Sequence, residues 1–589
     1  MNTVKKERRI IVIDFEVLSK ANFWMCCMKD VKTGAEHTII NDSQELLRVY
    51  KKNTNTIWTG YNIKGYDQWI YKSIIVGEDP CVVSKAIIKD RRNPWEINPK
   101  LNNVKFNFFE IGSRDKSLKE LELFMGESIE ESTVSFDLKT YPTKQQIAEL
   151  VHYCKHDVAM TYKVFNELRY EFDSRAFLID YFNLNDSLFK KTKAQFSAYL
   201  LDAKKPSIPR NDEFSFRIID KLKLDKYKYI QDWYSNPANM DYSKSLTAIV
   251  YGCIVEFGWG GLHSARKQYI SEGYLVNSDV KSYHPSNMIE NKFLSRNISN
   301  PETYIKIRDT RLEFKAKNNP WQKSFKDVLN ITYGASKDPN NELYDPQMGN
   351  AVCVNGQLML LDLIEKVEKR FGEDAKLIQG NTDGVMFEFK HKEDIDDYLK
   401  ICDEWSSRTK MELEHDFINK VVQKDVNNYV IIMEDGKVKR KGAYVKKLSL
   451  LDNDLPIVNK AILNNILYGK SVRETILESN ELIDFQKSVK ISGKYDYALH
   501  NGKPLRLKVL RVFASKDFKD SSITKVKGGN QEKIGNTPNN AFILNDNIIG
   551  KTIPSKLDKE WYIELAEKRL NDFIPNNQYA YSLLDLLEE

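Results

Sequence analysis

The chain is poor in cysteine: Cys26, Cys27, Cys81, Cys154, Cys253, Cys353 and Cys402 are the seven thiols in 589 residues, and no two stand in a CxxC pair. An odd count without that spacing argues against a disulfide framework and against a zinc or iron–sulfur cluster, and points to a reducing compartment. Long apolar runs are also missing. No stretch approaches the roughly 18 residues of a membrane span, and the basic start at residues 1–9 leads into only four apolar residues before Asp14, too few for a signal-peptide core. A cytoplasmic protein without a membrane partner is expected. Internal repeats and low-complexity tracts are absent, which excludes solenoids and disordered linkers. Net charge is only +6, from 89 basic and 83 acidic residues, so a polyanionic partner would have to be recognised by local clusters.

What is present is globular. Hydrophobic residues make up 41% and charged residues 29%, and at roughly 100 to 200 residues per domain the length allows about three to five folding units. Arg9-Ile-Ile-Val-Ile-Asp-Phe-Glu16 is a short apolar run ending in two carboxylates, predicting a buried central strand that emerges at an active face. Residues 56–62 and 103–112 read as two further strands. Helical spacing follows over 117–125 and 143–170, the second with Ile147, Leu150, Val151, Cys154, Val158 and Tyr162 on one stripe. Residues 1–170 are therefore expected to form an α/β domain. Residues 171–250 read as a mainly helical connector with no chemical signature. Strand character returns at 274–280 and 375–389, and basic residues crowd from Lys437 onward.

Asp14 and Glu16 stand two apart, so on a strand they share a face and could share a metal ion, a spacing that any solvated strand end also satisfies. Asp67 and Asp157 add two more acids. Tyr153 and Asp157, four apart, lie on one helix face where a phenol and a carboxylate reach one water. Four converging carboxylates repel one another unless cations intervene. Two Mg²⁺ ions would relieve that repulsion and activate water against a phosphodiester.

A second pair of acids lies downstream. The strand at 274–280 carries Asp279, and Leu377-Ile-Gln-Gly-Asn-Thr-Asp383-Gly reads as strand, tight turn and strand, with Asn381 and Gly384 as turn formers. A strand end and a hairpin tip can face one another across an antiparallel sheet, a geometry suited to two Mg²⁺ ions about 3.5 to 4 Å apart around an in-line displacement. Between them, residues 302–317 and 321–336 read as helices joined at Asn318-Asn-Pro320. Folding there sets Arg311 opposite Asp327 and beside Lys326, with Lys315 opposite Lys323. That strip of uncompensated cations suits a triphosphate, or else a charged exposed face.

These constellations resemble family B DNA polymerases that carry a 3′ to 5′ proofreading exonuclease. Asp14-Phe-Glu16 is similar to the nuclease DxE motif, Asn62-Ile-Lys-Gly-Tyr-Asp67 to Nx2–3(F/Y)D, Tyr153-Cys-Lys-His-Asp157 to Yx3D, and Ser117-Leu118 with Leu121 to (S/T)Lx2h. Asp279-Val-Lys-Ser-Tyr-His-Pro-Ser286 is similar to DxxSLYPS, Lys326-Asp-Val-Leu-Asn330-Ile-Thr-Tyr333-Gly334 to Kx3NSxYG, and Gly380-Asn-Thr-Asp383-Gly to YGDTDS. Lys441-Gly-Ala-Tyr444 resembles the primer-binding KxY segment.

The resemblance implies a multidomain α/β and α+β protein: an RNase H-like exonuclease at 1–170, a helical connector at 171–250, a palm in two parts at 251–300 and 337–430, a fingers hairpin at 301–336, and a thumb and C-terminal region at 431–589. It implies Asp14, Glu16, Asp67 and Asp157 as exonuclease metal ligands, Tyr153 positioning the attacking water, and Asn62, Ser117 and Leu118 at the primer strand. It further implies Asp279 and Asp383 as polymerase metal ligands assisted by the Val280 carbonyl. Arg311, Lys326 and Lys315 would hold the incoming triphosphate, Asn330 and Tyr333 the nascent base pair beside Ser282 and His284, and Lys441 and Tyr444 the primer end. The expected cofactor is Mg²⁺, two ions per site, with Mn²⁺ an alternative. Expected partners are primer-template DNA and dNTPs, in a compact phage or viral type of enzyme working in the host cytoplasm.

Several positions depart from the family pattern. Asn381 and Gly384 replace an aspartate and a serine, and His284 replaces the tyrosine that crowds the sugar 2′ position, a role that Tyr283 could instead assume. Gly258-Trp-Gly-Gly261 matches the interdomain Tyr-x-Gly-Gly segment poorly, with Phe257 or Trp259 as a candidate aromatic platform and Trp259 equally a core residue. Only 47 residues separate Asp279 from Lys326, which leaves no room for the subdomain of protein-primed relatives, so no terminal protein is expected. Two rival readings are a standalone exonuclease with a degenerate polymerase half, and a non-catalytic DNA-binding scaffold.

Overall fold

A computed structural model describes residues 6–111, 115–442 and 444–574. The chain is a mixed α/β multidomain protein that divides into two compact units, one of Met1–Lys191, Leu448–Ile457 and Leu477–Tyr562, the other of Thr192–Lys447, Val458–Ile476 and Ile563–Glu589. Among the described residues no helix is long and apolar enough to cross a membrane. All seven cysteines are buried free thiols.

The first unit is built on a five-stranded sheet. Its strands run in the order Glu36–Ile40, Phe23–Asp30, Ile10–Leu18, Ile57–Gly60, Asn107–Glu110, antiparallel among the first three and parallel across the last two joins. Strand alternation in Ile10–Leu18 sorts its side chains to two faces. Ile11, Ile13, Phe15 and Val17 pack with Trp58, Ile70, Tyr71 and Ile74, while Val12 and Leu18 pack with Leu150, Cys154 and Val158 of the helix Lys144–Glu167. The second set has the parity of Asp14 and Glu16, which therefore face that helix. Thr143 and Gln146 form its capping box, and Ser117 and Glu120 do the same for the helix Leu118–Phe124, so both starts are specified locally.

The residues Leu477–Tyr562 contribute two small antiparallel sheets to this same unit. Arg511, fully buried, secures them by donating to the carbonyls of Leu123 at 3.0 Å, Glu127 at 2.7 Å and Asp546 at 2.7 Å. Residues 431–589 are divided by their contacts between the two units. Such pairing across almost 390 residues of sequence leaves no local pattern.

The second unit is organised by a sheet of ten strands among the described residues. Its central order is Asn428–Met433, Leu413–Asp425, Tyr274–Val280, Gly384–Phe389, Ala375–Gly380, with Leu246–Val250 at one end and Val438–Lys441 at the other. Leu275, Asn277 and Asp279 share one face with Met386, Asp416 and Ile418 by register. From the opposite face Ser278 Oγ meets Tyr398 Oη at 2.6 Å and His415 Nδ1 at 2.7 Å. The helices Pro301–Ala316 and Gln322–Ser336 form the expected hairpin. The expected connector at 171–250 is only partly helical: Arg169–Tyr181, Lys193–Leu200 and Lys228–Ser235 are helices, residues 203–224 are irregular, and Leu246–Val250 is a strand. The division between units falls inside it, at Lys191 and Thr192.

Candidate functional site

In the first unit, one ligand atom each of Asp14, Glu16 and Cys154 lie within 4.8 Å of one another. Asp67, at the start of the helix Asp67–Val76, accepts the Phe15 amide at 3.1 Å, which fixes it beside the same strand. Burial, followed by Glu16, Asp67 and Asp157, pushes the Asp14 carboxyl well above its ordinary range. Burial, Asp157 and Asp67 do the same for Glu16, and burial takes Asp67 up to about 7. Asp157 is also raised, by burial first, with Lys119 opposing. Asp67 and Asp157 thus act on both Asp14 and Glu16, and the Phe15 amide holds Asp67 beside the strand that carries them.

Tyr153 joins them: burial and then Asp157 raise its phenol. Lys119, which sequence reasoning passed over, is the cation of the cluster. Its Nζ donates to Asp157 Oδ1 at 2.6 Å and Glu122 Oε1 at 3.1 Å and lies 4.8 Å from the centre of the Tyr153 ring. Cys154 was read only as part of an apolar stripe, yet its Sγ is 3.5 Å from Asp14 Oδ2. The residues predicted at the primer strand are less uniform. Asn62 is exposed in a left-handed conformation, its amide donating to Glu110 Oε1 at 2.9 Å. Leu118 is buried, and Ser117 commits its hydroxyl to the helix cap, donating to Glu120 Oε2 at 3.0 Å.

In the second unit Asp279 and Asp383 are neighbours. Asp279 pairs in register with Gly384, and the Val280 amide donates to the Asp383 carbonyl oxygen at 2.7 Å. Burial first, then Asp383, raises Asp279 to about 6. Gly384 is required by this closeness, because a Cβ there would stand 2.0 Å from Asp279 Oδ1. Glycine at this position thus has a steric reason. The turn closes with the Asn381 amide donating to the Gly384 carbonyl at 2.8 Å, and the Asn381 side chain accepting the Thr382 amide at 2.9 Å.

Two acids missed from sequence flank the pair. Glu414 lies across from Asp279 on the strand Leu413–Asp425, and Asp416 lies across from Asn277. Their signal was available: Glu414-His-Asp416 repeats the two-residue spacing of Asp14 and Glu16. Lys439, on the edge strand, pairs with Asp416 and draws the Asp279 carboxyl down.

Of the cations predicted on the helical hairpin, Lys315 has an acidic partner. Arg311 is buried and turned to the Ser282 hydroxyl, Lys315 Nζ is 3.0 Å from Glu414 Oε1, and Lys326 and Asn330 are exposed. Ser282 is itself held left-handed at φ 52° ahead of the helix Tyr283–Glu290. The two aromatic residues that follow it differ in their surroundings. Tyr283 is buried so close to the helix Pro346–Phe371 that a Cβ at Gly356 would stand 1.5 Å from its hydroxyl, whereas His284 stacks on Tyr333 with centroids 4.0 Å apart and planes at 21°. Burial, then Lys337, lowers His284 to about 4, so the stacked ring is neutral near pH 7.

Neither aromatic platform is available. Phe257 is buried, and Trp259 is buried among Phe214, Trp233 and Tyr234, because the surrounding rings form an apolar core. Lys441 is exposed at the end of its edge strand, opposite Tyr429. Tyr444 carries two cations near its ring, Arg569 at 4.7 Å and Lys424 at 5.1 Å from the centroid.

No protein-family model matches the chain. It is similar to DNA polymerase 1 of Saccharolobus solfataricus, 24% identical over 200 residues that make up 33% of this chain and 21% of that protein. The matched stretch therefore spans about a fifth of the curated relative. A solved family B DNA polymerase from the hyperthermophilic archaeon Pyrobaculum calidifontis aligns with 97% of this chain and 78% of its own at 14% identity and a TM-score of 0.43.

Proposed function

We propose that this protein is a template-directed DNA polymerase of the family B type that extends a nucleic-acid primer with dNTPs and proofreads with a 3′ to 5′ exonuclease. The observation that carries the reading is the closure of Val280 on Asp383, which sets two acids side by side at the end of a rigid sheet. The curated relative is named a DNA polymerase, which supports the same reading.

The donor sets fit hard divalent cations. Asp279 and Asp383 offer carboxylate oxygens whose mutual repulsion a cation would relieve, and so do Asp14, Glu16, Asp67 and Asp157. Mg²⁺ or Mn²⁺, when bound, would supply charge neutralisation at a reacting phosphate. The remaining work belongs to side chains. Arg311, whose Nε has no hydrogen-bond partner among the described residues, together with exposed Lys326 and with Lys315, would bind the triphosphate. The stacked His284 and Tyr333 would form the wall against which the new base pair rests, near Asn330. Lys441 and Tyr444 would hold the primer end without reading sequence. In the other centre Tyr153 and Asp157 would orient the attacking water, with Asn62 and Leu118 guiding the strand.

A labelled primer-template separates the two centres. Asp383→Ala abolishes elongation and leaves digestion intact, and Asp14→Ala does the reverse. Both activities surviving either change would refute the two-centre assignment, and digestion without elongation by the unaltered protein would refute the polymerase half.

A further inference from the structure

Beside the four-acid cluster lies a second group of ligand atoms. One atom each of Glu122, His156 and Asp157 fall within 4.8 Å of one another, and only Asp157 is shared with the four acids. Glu122 has no exposed surface, yet its Oε2 has no hydrogen-bond partner among the described residues, and neither does His156 Nε2. The two unpartnered atoms face each other at 3.7 Å. That gap is too long for a hydrogen bond and close to the roughly 3.3 to 3.6 Å that bonds of about 2.0 to 2.2 Å set between two ligands of a tetrahedral ion. An unsatisfied buried carboxylate oxygen is costly, and a cation between it and the imidazole would remove that cost.

The imidazole has a carboxylate near each ring nitrogen, Glu122 Oε2 at 3.7 Å from Nε2 and Glu130 Oε1 at 3.6 Å from Nδ1, so an ion bound at Nε2 displaces the proton that these carboxylates favour there. A carboxylate behind a histidine ring is the usual outer support of a metal-bound imidazole. Lys119 meanwhile holds Glu122 Oε1 and Asp157 Oδ1, so an ammonium already occupies part of the negative site.

We propose that Glu122, His156 and Asp157 form a binding site for one Zn²⁺ ion, which shares only Asp157 with the four-acid set. An imidazole with two carboxylates is a ligand set for a borderline-soft cation, whereas Mg²⁺ selects oxygen donors and retains its water. Because Asp157 belongs to both groups, occupation by Zn²⁺ withdraws one carboxylate from the four-acid set. Lys119 competes with the ion for the same two acids.

The test is binding, independent of any nuclease or polymerase activity. The full chain, stripped of metal, is titrated with Co²⁺ as a spectroscopic probe and then with Zn²⁺ as a competitor. One equivalent of Co²⁺ should develop a visible absorption band that Zn²⁺ removes and an equal concentration of Mg²⁺ does not. His156→Ala and Glu122→Gln should lose the band with circular dichroism unchanged, and Glu130→Gln should weaken Zn²⁺ binding about tenfold or more. Lys119→Met should tighten it, an outcome that misfolding cannot imitate. Asp14→Ala and Cys154→Ala should keep the band. No band in the unaltered protein, a band that survives His156→Ala, or one lost with Cys154→Ala would overturn the proposal.

Discussion

The amide of Val280 donates to the carbonyl oxygen of Asp383 at 2.7 Å, although 103 residues separate the two in sequence. This single bond joins the end of one strand to the tip of a hairpin and thereby decides where Asp279 and Asp383 stand.

Gly384 tests that arrangement. Gly384→Ala introduces a Cβ 2.0 Å from Asp279 Oδ1, so the carboxylate must move. Overpacking of this kind costs about 1 to 3 kcal/mol, and a displacement near 1 Å at a reacting centre costs about 100-fold in rate. Primer extension by the variant is expected to fall about that far while digestion of the same primer is unaffected.

Gly356 is a purely structural counterpart. Gly356→Ala would set a Cβ 1.5 Å from the Tyr283 hydroxyl, and Tyr283 is buried. A loss of about 3 kcal/mol is expected in denaturant unfolding of the second unit. Tyr283→Phe in the same background should recover part of it, because the atom in closest conflict is removed.

His284 should leave a mark on stability against pH. Its folded value, about 4 through burial and Lys337, lies below the ordinary 6.5, so between those values the unfolded chain binds the proton and the folded chain does not. Stability therefore falls as pH drops through about 6.5, and the cost is fully present below about 4. Denaturation midpoints measured from pH 7 to pH 4.5 should fall more steeply for the unaltered protein than for His284→Gln.

Arg511 is expected to be among the most sensitive positions of the first unit. Replacing it with methionine leaves the carbonyls of Leu123, Glu127 and Asp546 without their donor, at about 1 to 3 kcal/mol for each one that stays dry. Hydrogen exchange should accelerate in the helix Leu118–Phe124 and at residues 541–548 together.

Local chemistry made much of the fold legible. The helices at 118–124 and 144–167 announce themselves because Ser117, Glu120, Thr143 and Gln146 close capping boxes within four residues. The strand at 10–18 is visible because apolar side chains alternate over two buried faces. The acids were legible for the same reason, since two-residue spacing on a strand and four-residue spacing on a helix fix a shared face before any partner arrives. What spacing did not show for the hairpin cations is their distant partners: Glu414, a hundred residues on, pairs with Lys315, and the Ser282 hydroxyl accepts from Arg311.

By itself the sequence determined the helices at 118–124 and 144–167, the strands at 10–18 and 274–280 and the faces their acids occupy, because these depend on contacts among near neighbours. Tertiary structure alone decided that Lys119 sits among the buried acids of the first unit, that His284 rather than Tyr283 stacks on Tyr333, and that Arg511 secures the strands of 487–543 within that unit. Those outcomes depend on which buried donor meets which acceptor across long stretches of chain. Burial sets the energy of each such meeting, and no spacing along the chain encodes it.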